Sequence, residues 1–253
     1  MTDTSLKAAL YLEAVLPALA HLAPHDETLR RAASGPRAFA VSLAVRGGFV
    51  CHLIFSPDGT IATGATPQPR DLRLWFPTAG QFLRTMGNHP ALTLPLGGWG
   101  SLGQVRRFSA AGARLEILLN TRADAHLRLH AWGNVLVGVA AACAWLRHHP
   151  DGPALRARLA VGTGVIACPD FPAPIWFDTG ALTWGLGQPP APAIVSITFT
   201  RLSVVLAELD NRLDAPAALG LGDMTITGLQ PLAEQLGLVM LKAGKLLKPA
   251  VVA

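Results

Sequence analysis

Ala193 to Leu236 reads AIVSITFTRLSVVLAELDNRLDAPAALGLGDMTITGLQPLAEQL, the order of a strand, a helix, a turn, a second strand and a second helix. Apolar residues alternate with polar ones from Val195 to Phe199, which is the period of a half-buried strand. Thr200 stands where it can cap the following helix. The apolar positions of that helix recur at i, i+3, i+4 and i+7, as an amphipathic helix requires. They are Leu202, Val205, Leu206 and Leu209.

The same stretch closes with a short strand and an apolar helix. Asn211, Asp214 and Pro216 are expected to break the first helix, since these residue types favour turns. Residues 224–227 then read as a strand that ends at Gly228. The helix after it carries an apolar stripe at helical spacing. Its members are Leu229, Leu232, Ala233, Leu236 and Met240.

Composition bounds the class of protein. The 253 residues suffice for one large domain or two small ones. Apolar residues make up 51% and charged residues 15%, so we expect a large core together with an apolar surface or an internal cavity. The net charge of +5 is mild, and basic residues cluster only in pairs such as Arg106-Arg107. Without a basic stripe and stacking aromatics, no nucleic-acid partner is predicted.

Cysteine usage and the N-terminus indicate a cytoplasmic protein. The three cysteines are an odd number without a C-x-x-C pair, which favours reduced, buried thiols over disulfides or a zinc ribbon. Glu13 interrupts the first apolar run, so a secretion signal is not expected. The longest uncharged apolar run, residues 131–146, is shorter than the about 20 residues that a spanning helix needs. It is predicted to be a buried core helix.

The first half of the chain repeats this pattern 123 positions earlier. The matching strand positions are Leu72, Leu74 and Phe76, and the matching helix positions are Ala79, Phe82, Leu83 and Met86, preceded by Thr78 as cap. Looser matches at offsets of 121 to 123 pair Phe55 with Phe177, Gly64 with Gly185, Asn88 with Asn211 and Gly97 with Gly220. A period this long indicates two domains rather than short stacked repeats.

The repeat predicts the architecture. Upstream of it lie a helix over residues 6–22, with Pro17 as a kink, and a hairpin across residues 46–48. The helix over residues 129–146 is its counterpart in the second half. Hairpin strands with separate helices predict an α+β fold, with an antiparallel five-stranded sheet covered on one face by helices in each domain. We place the domains at residues 1–124 and 125–253.

The closing pattern resembles the sterol carrier protein type 2 domain family. In that family a strand and a helix are followed by a turn, a short leucine-containing run and G-(D/K)-hydrophobic-x-hydrophobic-x-G before a last apolar helix. Here residues 217–221 supply the run, and residues 222–228 read GDMTITG. The first half matches less well, because its closing segment, residues 96–103, is rich in glycine.

The resemblance implies two sterol-carrier-like domains with an apolar tunnel. Such domains bind an apolar lipid of fatty acyl, sterol or isoprenoid type and perform no chemistry, so it implies no catalytic residue, no metal and no cofactor. Apolar walls with few polar groups suit such a pocket. The side chains expected to line it are Phe199, Leu202, Val205, Leu206, Leu209, Met224, Ile226, Leu232, Leu236 and Met240 in the second domain, and Phe76, Phe82, Leu83 and Met86 in the first.

Two partners other than a lipid ligand stay open at this stage. Lys242, Lys245 and Lys248 can meet anionic head groups at a membrane surface in transient contact, or act as cations at a helix C-terminus. Alternatively, the two domains have filled cores and form a pseudo-dimeric assembly module that binds a protein. The oligomeric state is not indicated by the sequence.

An enzyme of unknown type is the remaining alternative. Gly98 to Gly103 is a literal G-x-G-x-x-G, but it lacks the strand–turn–helix context of a dinucleotide site. His126 and His130 share a helix face without an evident third ligand, so two partly exposed histidines are favoured over a metal site. The charged residues around Asn211 are expected to cap the helix and shape its turn rather than to catalyse. These residues are Asp210, Arg212 and Asp214.

Overall fold

The computed structural model describes residues 2–64, 71–87, 89–97 and 103–247. The chain divides into two compact units, Met1–Thr121 and Arg122–Ala253. This division falls inside residues 120–125, the segment that the sequence favours as a boundary. Each unit combines one five-stranded sheet with helices, so the predicted α+β class is confirmed.

Unit 1 contains five α-helices and five strands among its described residues. They are α1 (Asp3–Leu10), α2 (Ala18–Leu22), α3 (Glu27–Ala33), β1 (Phe39–Val45), β2 (Phe49–Phe55), β3 (Ile61–Thr63), β4 (Leu72–Phe76), α4 (Ala79–Met86), β5 (Leu94–Gly97) and α5 (Val105–Asn120). A π-helical turn, Tyr11–Val15, joins α1 to α2, and a short 3₁₀ turn, Ala23–His25, follows α2.

The described part of unit 2 has a similar succession, in which one long helix replaces α1, the π turn and α2, and one helix is added before the last strand. Its elements are α6 (Leu127–His148), α7 (Gly152–Arg156), β6 (Thr163–Ala167), β7 (Ile175–Asp178), β8 (Thr183–Leu186), β9 (Ala193–Phe199), α8 (Leu202–Leu209), α9 (Ala215–Leu221), β10 (Met224–Gly228) and α10 (Gln230–Leu247). A 3₁₀ turn, Asp124–His126, precedes α6.

The predicted kink at Pro17 takes the form of a π turn. Proline lacks an N–H, and its ring clashes with the carbonyl four residues earlier in a regular helix. The chain widens just before it, where the Leu16 N–H donates to the Tyr11 carbonyl at 2.9 Å. Pro17 therefore ends the first helical segment without turning the chain away from the core.

The two sheets share one strand order. In unit 1 it is β3-β2-β1-β4-β5, and in unit 2 it is β8-β7-β6-β9-β10. β1 pairs in parallel with β4, and β6 pairs in parallel with β9, whereas the other pairs are antiparallel. The sheets are thus mixed, and the prediction of purely antiparallel sheets is wrong at this pair. The fourth strand returns to the first strand instead of extending the hairpin series.

The common strand order supports the duplication, and the register corrects its details. β4 and β9 coincide at the offset of 123, as do α4 and α8. Beyond them, Leu74 pairs with Pro95, and Ile197 pairs with Ile226, so the equivalent positions there are 131 apart. Helix α9 accounts for the extra residues, and the match of Gly97 with Gly220 is wrong. Asn88 and residues 98–102 lie outside the described residues.

The pairing of Phe55 with Phe177 also changes. Val41 pairs with Leu53 and Leu72, while Gly164 pairs with Phe177 and Val195. Phe177 is therefore the equivalent of Leu53, two positions from the predicted partner. Both phenylalanines still point to the helical side of their sheets, because side chains two residues apart share a face.

Helix α6 forms the core of unit 2. Its Trp132 is fully buried, and the indole Nε1–H donates to the Ala173 carbonyl at 3.0 Å. Among the described residues, two helical stretches, Asp3–His25 and Asp124–His148, are long and apolar enough to cross a membrane by length and composition. In the second, 83% of the apolar window is buried, as expected for a core helix. In the first, 61% is buried.

Candidate functional site

The predicted apolar stripe of α8 lies at the edge of the core rather than inside it. Val204 and Val205 are the buried residues of this helix, so the helix is rotated relative to the stripe. The other three stripe positions are half-buried. They are Leu202, Leu206 and Leu209. The aliphatic side chains of α8 therefore remain in part available to a further apolar group.

The N-terminus of α8 is capped from a different loop than expected. The Leu202 N–H donates to Asp170 Oδ2 at 2.7 Å. The Thr200 hydroxyl instead donates to the Asp223 carbonyl at 2.9 Å, so the prediction that Thr200 caps the helix is wrong. A carboxylate satisfies an N-terminal amide better than a neutral hydroxyl does, because it also meets the positive end of the helix dipole.

The remaining predicted residues of unit 2 come from β9, β10 and α10. Phe199 and Met224 are buried register partners across β9 and β10. Ile226 is half-buried on the same strand. Leu232 and Leu236 are buried on the face of α10 that packs towards α6.

Met240 of α10 is half-buried and reaches α6. A Cβ added at Gly138 would lie 2.8 Å from the Met240 Cε, so the methionine end rests on this glycine. The flexible thioether therefore fills part of the space between α6 and α10.

Exposed apolar side chains are frequent on α9 and α10. Leu221, the last residue of α9, is 79% exposed. Four more leucines of this region are large exposed hydrophobic residues, namely Leu219, Leu229, Leu238 and Leu241. The closing elements of unit 2 thus carry more apolar surface than their own core covers.

The predicted residues of unit 1 pack more completely. Phe76 and Phe82 are fully buried, and their rings meet edge to face with centroids 5.3 Å apart. Leu83 and Met86 are half-buried on α4. Phe82 occupies the place of Val205 in unit 2, so the two units differ in how this helix fills the space above the sheet.

Two of the three C-terminal lysines are described. Lys242 and Lys245 are exposed on α10, and Lys248 lies outside the described residues. Lys242 Nζ lies over the Trp145 ring, 5.4 Å from its centroid, and the Trp145 and His149 rings stack with centroids 4.1 Å apart. A cation over an indole ring is attracted by its quadrupole.

The charged cluster around Asn211 has a structural role. The Asp210 carboxylate accepts hydrogen bonds from Arg122 and Arg212. These hydrogen bonds, first that from Arg122, hold the pKa of Asp210 well below its usual range. Asp214 caps α9, accepting from the Ala217 N–H at 3.1 Å. The interpretation of this cluster as helix ends and turn is consistent with these contacts.

The histidine pair is placed differently from the expectation. His126 is half-buried, but His130 is buried, so the prediction of two partly exposed histidines is wrong for His130. The Asn134 side-chain amide lies 3.5 Å from the His130 ring nitrogen and donates to the His130 carbonyl at 2.8 Å. Across the described ranges, no three His, Cys, Asp or Glu side chains form a group that could hold a metal ion.

The three thiols are buried, and the pKa values of two of them are raised strongly. Burial raises the pKa of the Cys51 and Cys143 thiols to about 12. Burial also raises the pKa of Cys168. At pH 8 the Cys51 and Cys143 thiols are therefore overwhelmingly in the protonated, unreactive form.

We expect the native thiols to react far more slowly with a disulfide reagent such as DTNB than the same thiols in urea. Thiolate is the reactive form, and burial suppresses it. The reaction is followed by absorbance at pH 8, with the denatured protein as control. Rapid reaction of all three thiols in the native protein would contradict this expectation.

Sequence reasoning missed a set of polar residues on the face of the unit 1 sheet opposite its helical side. Ser42, His52 and Arg73 share this face on three neighbouring strands, and Asp71 precedes the last of them. The sequence held a signal for this set, because Ser42, His52 and Arg73 each interrupt an otherwise apolar strand.

Comparisons with known proteins give matches among solved structures alone. No family model and no curated protein matches the sequence. The crystal structure of sterol carrier protein 2-like 2 from Aedes aegypti is similar, with 25% identity and a TM-score of 0.31, over 42% of this chain and 95% of that one. A structure named UbiJ-SCP2 ubiquinone synthesis protein is similar with 17% identity and a TM-score of 0.32, over 40% of this chain and 87% of that one.

A third match is a part of a larger enzyme. The sec-alkylsulfatase Pisa1 from Pseudomonas sp. has 18% identity and a TM-score of 0.26, over 69% of this chain and 32% of the enzyme. The architecture of the units themselves is established by their strand order and pairing.

Proposed function

We propose that the protein binds an apolar lipid chain without catalysing a reaction, and that unit 2 is the principal binding unit. The observation that carries this proposal is the excess of exposed leucine on α9, on α10 and at Leu229, together with the half-buried leucines of α8. Apolar surface of this kind marks a binding site in a folded protein. The sequence resemblance to sterol carrier domains supports the same class of ligand.

The proposed ligand is a fatty acyl, sterol or isoprenoid-type chain. Each methylene group that leaves water for an apolar site contributes about 0.8 kcal/mol, so a long chain needs no charged anchor. Met240 and the α8 leucines are flexible or partly uncovered, so they can adapt to such a chain.

We propose that the chain enters between α10 and the sheet, with α10 opening as a lid. The buried face of this helix is aliphatic, and α6 is its main neighbour. Contacts of this type carry no directional hydrogen bonds, so they can separate and reform around an apolar guest. A cytoplasmic location and a transient membrane contact through Lys242 and Lys245 belong to the same proposal.

A non-catalytic role is supported by the use of the charged residues. Asp210 is occupied by two arginines, and Asp214 caps a helix, so neither carboxylate is arranged as a general acid or base.

The direct test is native mass spectrometry of the expressed protein, followed by lipid extraction. A bound lipid of discrete mass that survives purification is the expected result. Protein with no bound lipid and no affinity for added fatty acid, but with a captured protein partner, would instead favour the assembly module.

We expect Leu206→Gln and Leu209→Gln together to weaken binding of a fluorescent fatty acid about tenfold or more, since two half-buried leucines would be replaced by amides that resist desolvation. Palmitate displaces the probe in the assay. Val161→Gln is the matched control, because Val161 is 78% exposed in the same unit but precedes β6. Equal losses in both proteins would contradict a site at α8.

A further inference from the structure

Four polar residues form a patch on the face of the unit 1 sheet opposite its helical side. We call this patch the polar row. Ser42 on β1 is the register partner of His52 on β2 and of Arg73 on β4. Register partners project to the same face. Asp71 lies two residues before Arg73, and its Oδ2 is 3.7 Å from His52 Nε2. The polar row is therefore Ser42, His52, Asp71 and Arg73.

The polar row is largely removed from water. Ser42 and His52 are 5% and 8% exposed. His52 Nδ1 has no hydrogen-bond partner within residues 2–64, 71–87, 89–97 and 103–247. A buried polar atom left without a partner costs about 1–3 kcal/mol, and such atoms are rare in folded proteins. Val50, on the same face two residues from His52, is 50% exposed, so the polar row adjoins solvent.

Unit 2 shows that the fold does not require polar residues here. Its residues at the equivalent register positions are Val165, Trp176, Ile194 and Ser196. Three of these four are apolar, in a sheet with the same strand order. The polar row is thus a property of unit 1 and is not imposed by the architecture.

The charges of the polar row are arranged around His52. Burial lowers the pKa of His52, while Asp71 raises it and Arg73 lowers it. Among the described residues, Asp71 and Arg73 are the charged groups that shift this pKa. A second negative charge beside Nδ1 and Arg73 would make the protonated ring favourable, since Asp71 already stands at Nε2. Asp71, the protonated His52 ring, the added anion and Arg73 would then carry charges of alternating sign.

We propose that the polar row binds a small oxyanion, a carboxylate or a phosphate, with His52 Nδ1 and the Arg73 guanidinium as donors and the Ser42 hydroxyl as a third. Charge-assisted hydrogen bonds of this kind are the strong ones. Binding takes up a proton at His52, so the affinity increases as the pH falls through the titration range of that ring. The proposal is independent of lipid binding in unit 2.

The test is an NMR titration of histidine labelled with carbon-13 at Cε1, with His52→Gln to assign the signal. Inorganic phosphate and acetate are added separately, with chloride at matched ionic strength as the reference. The titration midpoint of His52 is expected to move upward in at least one of the two anions. A midpoint that stays unchanged in both anions overturns the proposal.

Variants separate the site from general charge effects. Arg73→Gln is expected to weaken phosphate or acetate binding about tenfold or more, as for the loss of a charged hydrogen-bond donor. Arg37→Gln, an exposed arginine of the same unit, should leave it unchanged. Equal weakening by both variants would overturn the proposal. Arg73→Lys keeps the charge and provides the comparison if the glutamine variant does not fold.

The source of the anion is resolved by a last pair of ligands. Short-chain soluble phosphatidic acid that binds more tightly than inorganic phosphate identifies a lipid head group, and equal affinities identify a free anion. Either result supports the oxyanion site, whereas binding of neither ligand, together with no effect of acetate, contradicts it.

Discussion

Replacing Gly164 by valine is expected to unfold the sheet of unit 2, with a loss of about 3 kcal/mol or more. Gly164 pairs with Phe177 across β6 and β7, and the buried Phe177 ring lies over it. A Cβ at this position would come within 2.8 Å of three ring carbons. The ring is fully buried, so it has no free volume into which it can move.

Hydrogen-exchange mass spectrometry measures this effect, because it monitors each unit separately. Peptides from β6 and β7 should lose protection more than peptides from β1 and β2. Gly237→Ala is the control: this helical glycine of α10 has nothing within 4 Å of an added Cβ. Alanine there should stabilise the protein by about 0.5–1 kcal/mol. Unchanged protection of β6 in Gly164→Val would contradict the packing described for Phe177.

The second large effect is expected for Arg107→Met in unit 1, with a loss of about 3 kcal/mol. The Arg107 guanidinium donates to the Ala33 carbonyl at the end of α3 at 3.0 Å, to the Arg37 carbonyl at 2.8 Å and to the Ser56 carbonyl at 3.3 Å. It also lies 4.6 Å from the centre of the Phe39 ring. One side chain thus satisfies carbonyls from three segments.

Methionine keeps the apolar stem but leaves these carbonyls without a donor, and that is the cause of the loss. Lysine should restore only part of the stability, because a single ammonium cannot reach all three segments. Arg106→Met is the matched control, since Arg106 is the exposed neighbour on the same helix. The control should change stability by less than about 0.5 kcal/mol. Urea unfolding curves, together with hydrogen exchange of peptides from α3 and β2, distinguish the variants. Equal stability of Arg107→Met and Arg106→Met would refute this role of Arg107.

The local elements of the fold could be predicted because their signals are short-range. Leu202 to Leu209 and Ala79 to Met86 became helices at the predicted residues, as their apolar spacing required. Thr78 also caps α4 as predicted, accepting from the Gln81 N–H at 3.2 Å. The offset of 123 that joins these segments revealed two α+β units before any tertiary contact was known.

The candidate site was predicted less completely. Its α8 stripe is only partly buried, because Val204 faces the core as well as Val205. Which side of an apolar helix is covered depends on neighbouring elements, and almost every side of α8 is apolar. The role of Asp170 as cap was hidden for a related reason, since it lies 32 residues from Leu202.

The sequence by itself determined the duplicated unit, its strands and most of its helices, and the apolar closing segment from Ala193 to Leu236. These follow from periodicity and turn residues, which act within a few positions along the chain. The tertiary structure alone decided that β4 pairs in parallel with β1, that α9 is an addition to unit 2, and that Ser42, His52 and Arg73 share one face. Such pairings join residues far apart in the chain, and their register is set by the packing of whole faces rather than by local preference.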